Sequence, residues 1–133
     1  MIEEGIARLV QSDPTVLAIC PTGGYYSTLP KGQPLPSWSY IVVSEVTDYT
    51  LEGRTDLTPR RLQIDTYGSG GADVLNLARA IDNVLSGYKG TLPDPDATVV
   101  QGCFRSNELD FFDDASRTYR RMLEYELFYN NLG

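Results

Sequence analysis

The chain has 133 residues, 41% of them hydrophobic, and a chain of this size buries roughly two-thirds of its unfolded surface, so one domain can close its core without a metal or disulfide staple. A formal net charge of -7 and an isoelectric point of about 4.4 exclude a surface that grips nucleic-acid phosphates through lysine and arginine. No apolar run is long enough to span a bilayer, and Met1-Ile2-Glu3-Glu4 lacks the basic start and hydrophobic stretch of a secretory signal, which points to a cytoplasm.

Taken in chain order, Ile2, Ile6, Leu9 and Val10 recur at helical spacing, and Ser12-Asp13-Pro14 ends that helix because proline pushes the preceding residue out of the α region. Asp13-Pro14 can then open a further turn carrying Val16, Leu17 and Ile19. A Pro/Gly-rich stretch from Pro21 to Pro36 follows, in which Tyr25 and Tyr26 can form a short edge strand. From Trp38 to Tyr49 the chain is β-rich: Tyr40, Val42 and Val46 alternate with Ile41, Val43 and Glu45, so its first part is expected to be buried on both faces. Thr50 to Pro59 is polar, too long for a tight hairpin, and reads as a projecting arm.

The next strand, Arg61 to Tyr67, sets Leu62, Ile64 and Thr66 against Arg61, Gln63 and Asp65. After Gly68-Ser69-Gly70-Gly71, a helical stripe of Val74, Leu77, Ala78, Ile81, Val84 and Leu85 should lie across the sheet and close at Gly87. Tyr88 to Ala97 is a turn-rich connector. Two long strands close the chain, Val99 to Phe112 and Arg117 to Tyr129, joined by Asp113-Asp114-Ala115-Ser116. In the last one Tyr119, Leu123, Tyr125, Leu127 and Tyr129 share a packing face, and Arg120, Met122, Glu124 and Glu126 look out. The expected architecture is one α+β domain over residues 1–133: a mixed or antiparallel sheet of two hairpins, helices on one face, in the order α-β-β-α-β-β.

The absence of histidine removes the commonest general base and metal ligand. Asp110, Asp113 and Asp114 form the densest acidic group, but their spacing is not that of a calcium loop and acids at a hairpin tip are ordinarily turn formers. Asp94-Pro95-Asp96 reads in the same way. The Gly68–Gly71 loop precedes a helix, as phosphate loops do, yet no Lys-Ser or Lys-Thr follows and Asp73 would repel an anion. Cys20 and Cys103 share no CxxC spacing and read as free buried thiols. No catalytic residue, cofactor or metal site is assigned. The nine tyrosines are divided between core and interface, and Arg60-Arg61 and Arg120-Arg121 pair with surplus carboxylates across strands or a subunit boundary.

The order of these features resembles the tail-completion or tail-terminator proteins of long-tailed phages and phage-like particles. The likeness covers most of the chain: the helix ending near Asp13-Pro14, and Leu29-Pro30-Lys31-Gly32 to Pro36 leading into Tyr40-Ile41-Val42-Val43. It continues through Arg61-Leu62-Gln63-Ile64-Asp65-Thr66-Tyr67 with its glycine loop, the helix Ala72 to Leu85, and a closing hairpin with Phe104-Arg105, Asp110-Phe111 and Tyr125-Glu126-Leu127. The resemblance implies a non-catalytic virion protein, assembled in the host cytoplasm into a ring of six subunits at the head-proximal end of the tail. That ring would end growth of the major tail tube protein and meet a head–tail connector protein, while DNA passes through without tight binding and no membrane is involved. The residues assigned to interfaces are Glu52, Arg54 and Asp56 on the arm, Arg61 and Arg120 as cross-boundary charges, and Tyr129. A head-closure or neck component and an adaptor that adds a peptide to a sheet edge are the other structural readings. A divalent-metal enzyme at Asp110, Asp113 and Asp114 is the weakest.

Overall fold

The computed structural model describes residues 2–21, 24–27, 35–45, 49–50, 53–54, 57–93, 95, 98–115 and 117–130, with backbone only at 43–45, 49–50, 53–54, 57–59 and 130. Two short helices open the chain, α1 (Ile2–Gln11) and α2 (Pro14–Ile19). The Asp13 carboxylate accepts the N–H groups of Thr15 and Val16, each at 3.1 Å, which satisfies two of the donors a helix start leaves open. The edge strand β1 (Gly24–Tyr26) runs parallel to β2 (Ser37–Glu45). The arm carries a small separate ladder, β3 (Tyr49–Thr50) with β4 (Gly53–Arg54), and β5 (Leu57–Gly68) begins earlier than the expected Arg61. After α3 (Gly71–Leu85) come β6 (Gly90–Thr91), β7 (Val99–Asp113) and β8 (Thr118–Asn130).

The main sheet has the order β1-β2-β5-β8-β7-β6, antiparallel apart from its first pair. The four long strands expected from the sequence form its centre, while α2, β1, β6 and the β3–β4 ladder expand the simple α-β-β-α-β-β order. Register sorts the two faces. Trp38, Tyr40, Leu62, Ile64, Leu123, Tyr125 and Leu127 fall on one, against the stripe of Val74, Leu77, Ala78, Ile81 and Leu85 on α3 and against Ile2, Ile6 and Val10 of α1. Each such side chain, fully buried, contributes roughly 1.5–3 kcal/mol. Trp38 is tied to α1 by its indole N–H, which donates to Gln11 Oε1 at 3.1 Å.

The opposite face bears no helix among the described residues, yet it is not uniformly exposed. Ser37 and Ser39 are fully buried and Asp65 is buried, so the start of β2 is covered on this side too, whereas Ile41 and Val42, expected to be buried, are half-buried. Met122, expected on the outward face, is also buried, because it stands in the middle of the sheet between Asp65 on β5 and Leu109 on β7. Conversely Tyr119, expected on the packing face, is exposed, since it stands near the turn of the β7–β8 hairpin, where α3 is only beginning.

Two glycines are required by close approach. At Gly68 an added Cβ would lie 2.8 Å from Val74 Cγ2, so the turn into α3 is shaped by packing. At Gly24 it would lie 2.3 Å from the Trp38 ring, which has no room to retreat. Gly24→Ala is therefore expected to destabilise the fold by about 1–3 kcal/mol, read as a lower urea midpoint with an unchanged slope.

Candidate assembly surfaces

In the β7–β8 hairpin, Met122, Leu123 and Tyr125 on β8 stay buried, while β7 leaves the core at about Phe104. Beyond it β7 is almost wholly exposed on both faces, and Phe104, Leu109, Phe111, Phe112 and Tyr119 each leave 39–57% of their surface in solvent. Phe104, Leu109 and Phe111 lie on the face without helices, and Phe112 faces Tyr119 on the helix side with ring centroids 4.5 Å apart. Grouped apolar exposure of this kind marks an interaction site more often than a free surface. Sequence reading placed these residues in strands but did not single them out as a surface. The available signal was that the paired pattern continues for several residues after the helical stripe has ended.

Charges stiffen the hairpin. On the helix side Tyr125 donates its hydroxyl to Asp82 Oδ1 at 2.7 Å, and Arg105 reaches both Asp82 and Glu108 at 3.1 Å. Arg121 then joins Glu108 to Asp110, the latter at 2.9 Å. On the other face Arg120 donates to Asp65 at 2.9 Å and covers the Phe111 ring, while Gln63 donates to the second Asp65 oxygen. The buried Asp65 carboxylate is thus met by two partners, as a buried charge must be.

The sequence-assigned residues fall in different settings. Glu52 and Asp56 lie outside the described residues, and for Arg54 only its backbone in β4 is described. Arg61 is exposed and pairs with Glu124 at 3.4 Å across β5 and β8. Arg120 is half-exposed in the network just described. Tyr129 is part of the core and presents little surface. The acids once weighed as a metal site serve the hairpin: Asp110 binds Arg121, and Asp113 accepts the Ala115 N–H at 3.1 Å to close the turn. Among the described residues no group of three or more histidine, cysteine or acidic side chains is placed to hold a metal.

A second surface lies at the far edge of the sheet. A groove of about 540 Å³ opens between α1 and β1, lined by Glu3, Glu4, Ala7, Arg8, Tyr26 and Tyr40. Tyr26 meets Tyr40 edge-on at 5.4 Å. The Tyr40 hydroxyl holds its proton above the ordinary tyrosine range, first because it is buried and then because Glu3, Tyr26 and Glu4 set a negative field around it.

The sequence matches the family described as Tail completion protein gp17 over residues 4–130. Among curated proteins no relative matches. Among solved structures, a chain from the virion of a native gene transfer agent (GTA) particle superposes with a TM-score of 0.73 at 14% sequence identity, covering 98% of this chain and 95% of that one. This likeness shows the fold.

The buried polar groups beneath the hairpin make stability sensitive to alkali. Burial, reinforced by Asp82, pushes the Cys103 thiol from 9.0 up to about 12, and burial with the Asp82 hydrogen bond raises Tyr125 further still. The native state therefore keeps protons that the unfolded chain sheds. The stability linked to Cys103 is full below pH 9 and is lost as pH rises towards 12, at a slope of about 1.4 kcal/mol per pH unit. Urea unfolding at pH 7.5, 9 and 10.5 should show this fall, and Cys103→Ala should flatten it between pH 9 and 10.

Proposed function

The chain belongs to the tail completion protein gp17 family, and on that premise we propose that it is a non-catalytic virion protein which forms a six-membered ring at the head-proximal end of a phage-type tail. The observation that carries this reading is a family match spanning residues 4–130, which takes in α1, the whole sheet, α3 and the closing hairpin. The ring ends polymerisation of the major tail tube protein and offers its other surface to a head–tail connector.

The fold supplies what such a part needs. A stiff sheet carries apolar groups on a projecting hairpin and a concave groove at the other edge, so contacts are offered on opposite flanks. Its cations are mostly occupied within the subunit: Arg8, Arg60, Arg61, Arg105, Arg120 and Arg121 all sit in ion pairs. With a net charge of -7, a channel through such a ring lets DNA slide by without being gripped. The arm, with Glu52, Arg54 and Asp56, meets the tail tube or a neighbouring subunit, and Arg61 and Arg120 supply charge to a subunit boundary on the face without helices.

The start of β5 sets the limits of the test, because Leu57 already pairs with Asn130. Replacing residues 49–56 by a short Gly-Ser linker should leave thermal stability within about 1 kcal/mol of wild type, since Tyr49–Thr50 and Gly53–Arg54 pair in a ladder separate from the main sheet. Native mass spectrometry and electron microscopy should then show monomers and uncapped tubes of irregular length. Normal rings and normal tube lengths would reject the assigned role of the arm.

A further inference from the structure

A ring of identical subunits joined head to tail needs two different patches that fit one another on opposite flanks of the subunit. The two exposed features described above lie at opposite edges of the sheet, the hairpin at β7 and the groove at β1. Register places Tyr26 level with Tyr40, Ile64, Leu123 and Glu108, where Leu123 is still core, and the Phe112–Tyr119 pair lies further along β8 towards the turn.

Their chemistry matches. At the hairpin tip Phe112 and Tyr119 pack with their rings tilted by 48°, and the Arg117 guanidinium lies 5.5 Å from the centre of the Phe112 ring. Arg117 makes no ion pair with a described residue, unlike the six arginines bound within the subunit. The groove presents the half-exposed Tyr26 ring and the Glu4 carboxylate, beside the buried Tyr40 and a Glu3 that is already paired with Arg60 at 3.3 Å. The Glu4–Arg8 pair is itself exposed, so it competes weakly with a second guanidinium. Of the tip acids, Asp113 is turned into its own loop, and Asp114 is the charge that must stay outside the groove.

We propose that the β7–β8 hairpin tip of one copy seats in the α1–β1 groove of the next, with Phe112 and Tyr119 against Tyr26, and Arg117 against Glu4. The inference rests on the ring reading and names the contact that closes it. Buried aromatic and arginine anchors of this kind carry most of the free energy of protein interfaces.

The test uses the full chain, with and without assembled tail tubes. Tyr26→Cys combined with Phe112→Cys, treated with diamide as oxidant, should yield intersubunit disulfides that run as a ladder up to the ring on non-reducing gels. Neither single variant should do so, and the native thiols are buried. Arg117→Glu should weaken ring association roughly tenfold while circular dichroism stays native, and adding Glu4→Arg should restore part of it. Wild-type rings that give no Tyr26–Phe112 cross-link and tolerate Arg117→Glu would overturn this contact and leave the ring reading standing. A wild-type protein that stays monomeric with tubes present would overturn both.

Discussion

The pairing of β5 with β8 governs the rest of the molecule. Twelve residue pairs run without a break from Leu57–Asn130 to Gly68–Tyr119, and the side chains of each strand alternate between faces with a period of two. A slip of one residue would carry Leu62, Ile64, Leu123 and Tyr125 away from α3 and bring Asp65, Glu124 and Glu126 under it. The free energy of the apolar face is thus committed to one register. Because that register is continuous, it also fixes where the flanking strands β2 and β7 attach and how far each extends.

The hairpin follows from that constraint. β8 is held by β5 only as far as Tyr119, while β7 pairs it to Thr118 and the turn lies further out. At the start of α3, side chains that alternate correctly for burial are only partly covered among the described residues, and Phe112 and Tyr119 pack on each other. The ion pairs through Asp82, Arg105, Glu108, Arg121 and Asp110 replace the missing core by charge and hydrogen bonding. Two irregularities in β7, at Val100–Gly102 and Arg105–Asn107, lie near where this change occurs and increase local twist.

Much of this was legible in the sequence because it rests on period and punctuation. The α3 stripe, the alternation in β5 and β8 and the break at Asp13-Pro14 are local patterns, and each reappears in the fold. What was hidden depends on partners distant in the chain. Nothing around Met122 announces burial; it is buried by Asp65 and Leu109 on neighbouring strands. Nothing around Phe112 announces exposure, since an aromatic residue in a strand is ordinarily core. Arg120 was noted as a charge seeking a carboxylate, but the carboxylate lies 55 residues earlier and is itself buried. The β3–β4 ladder is not legible in the sequence, because two-residue strands carry no period to read.

The outer side of β7 has a further consequence. β6 pairs with it only at Val99 and Val100, so among the described residues most of a fifteen-residue strand presents unpaired backbone groups to solvent. Such an edge invites strands of other molecules, and an assembly protein must exist for a time as free subunits at whatever concentration the cell has made. Arg105, Glu108, Asp110 and Asp113 spaced along it impose a charge penalty on indiscriminate edge-to-edge pairing. Like the bulge at Arg105–Asn107, they work against a second strand lying in register along this edge.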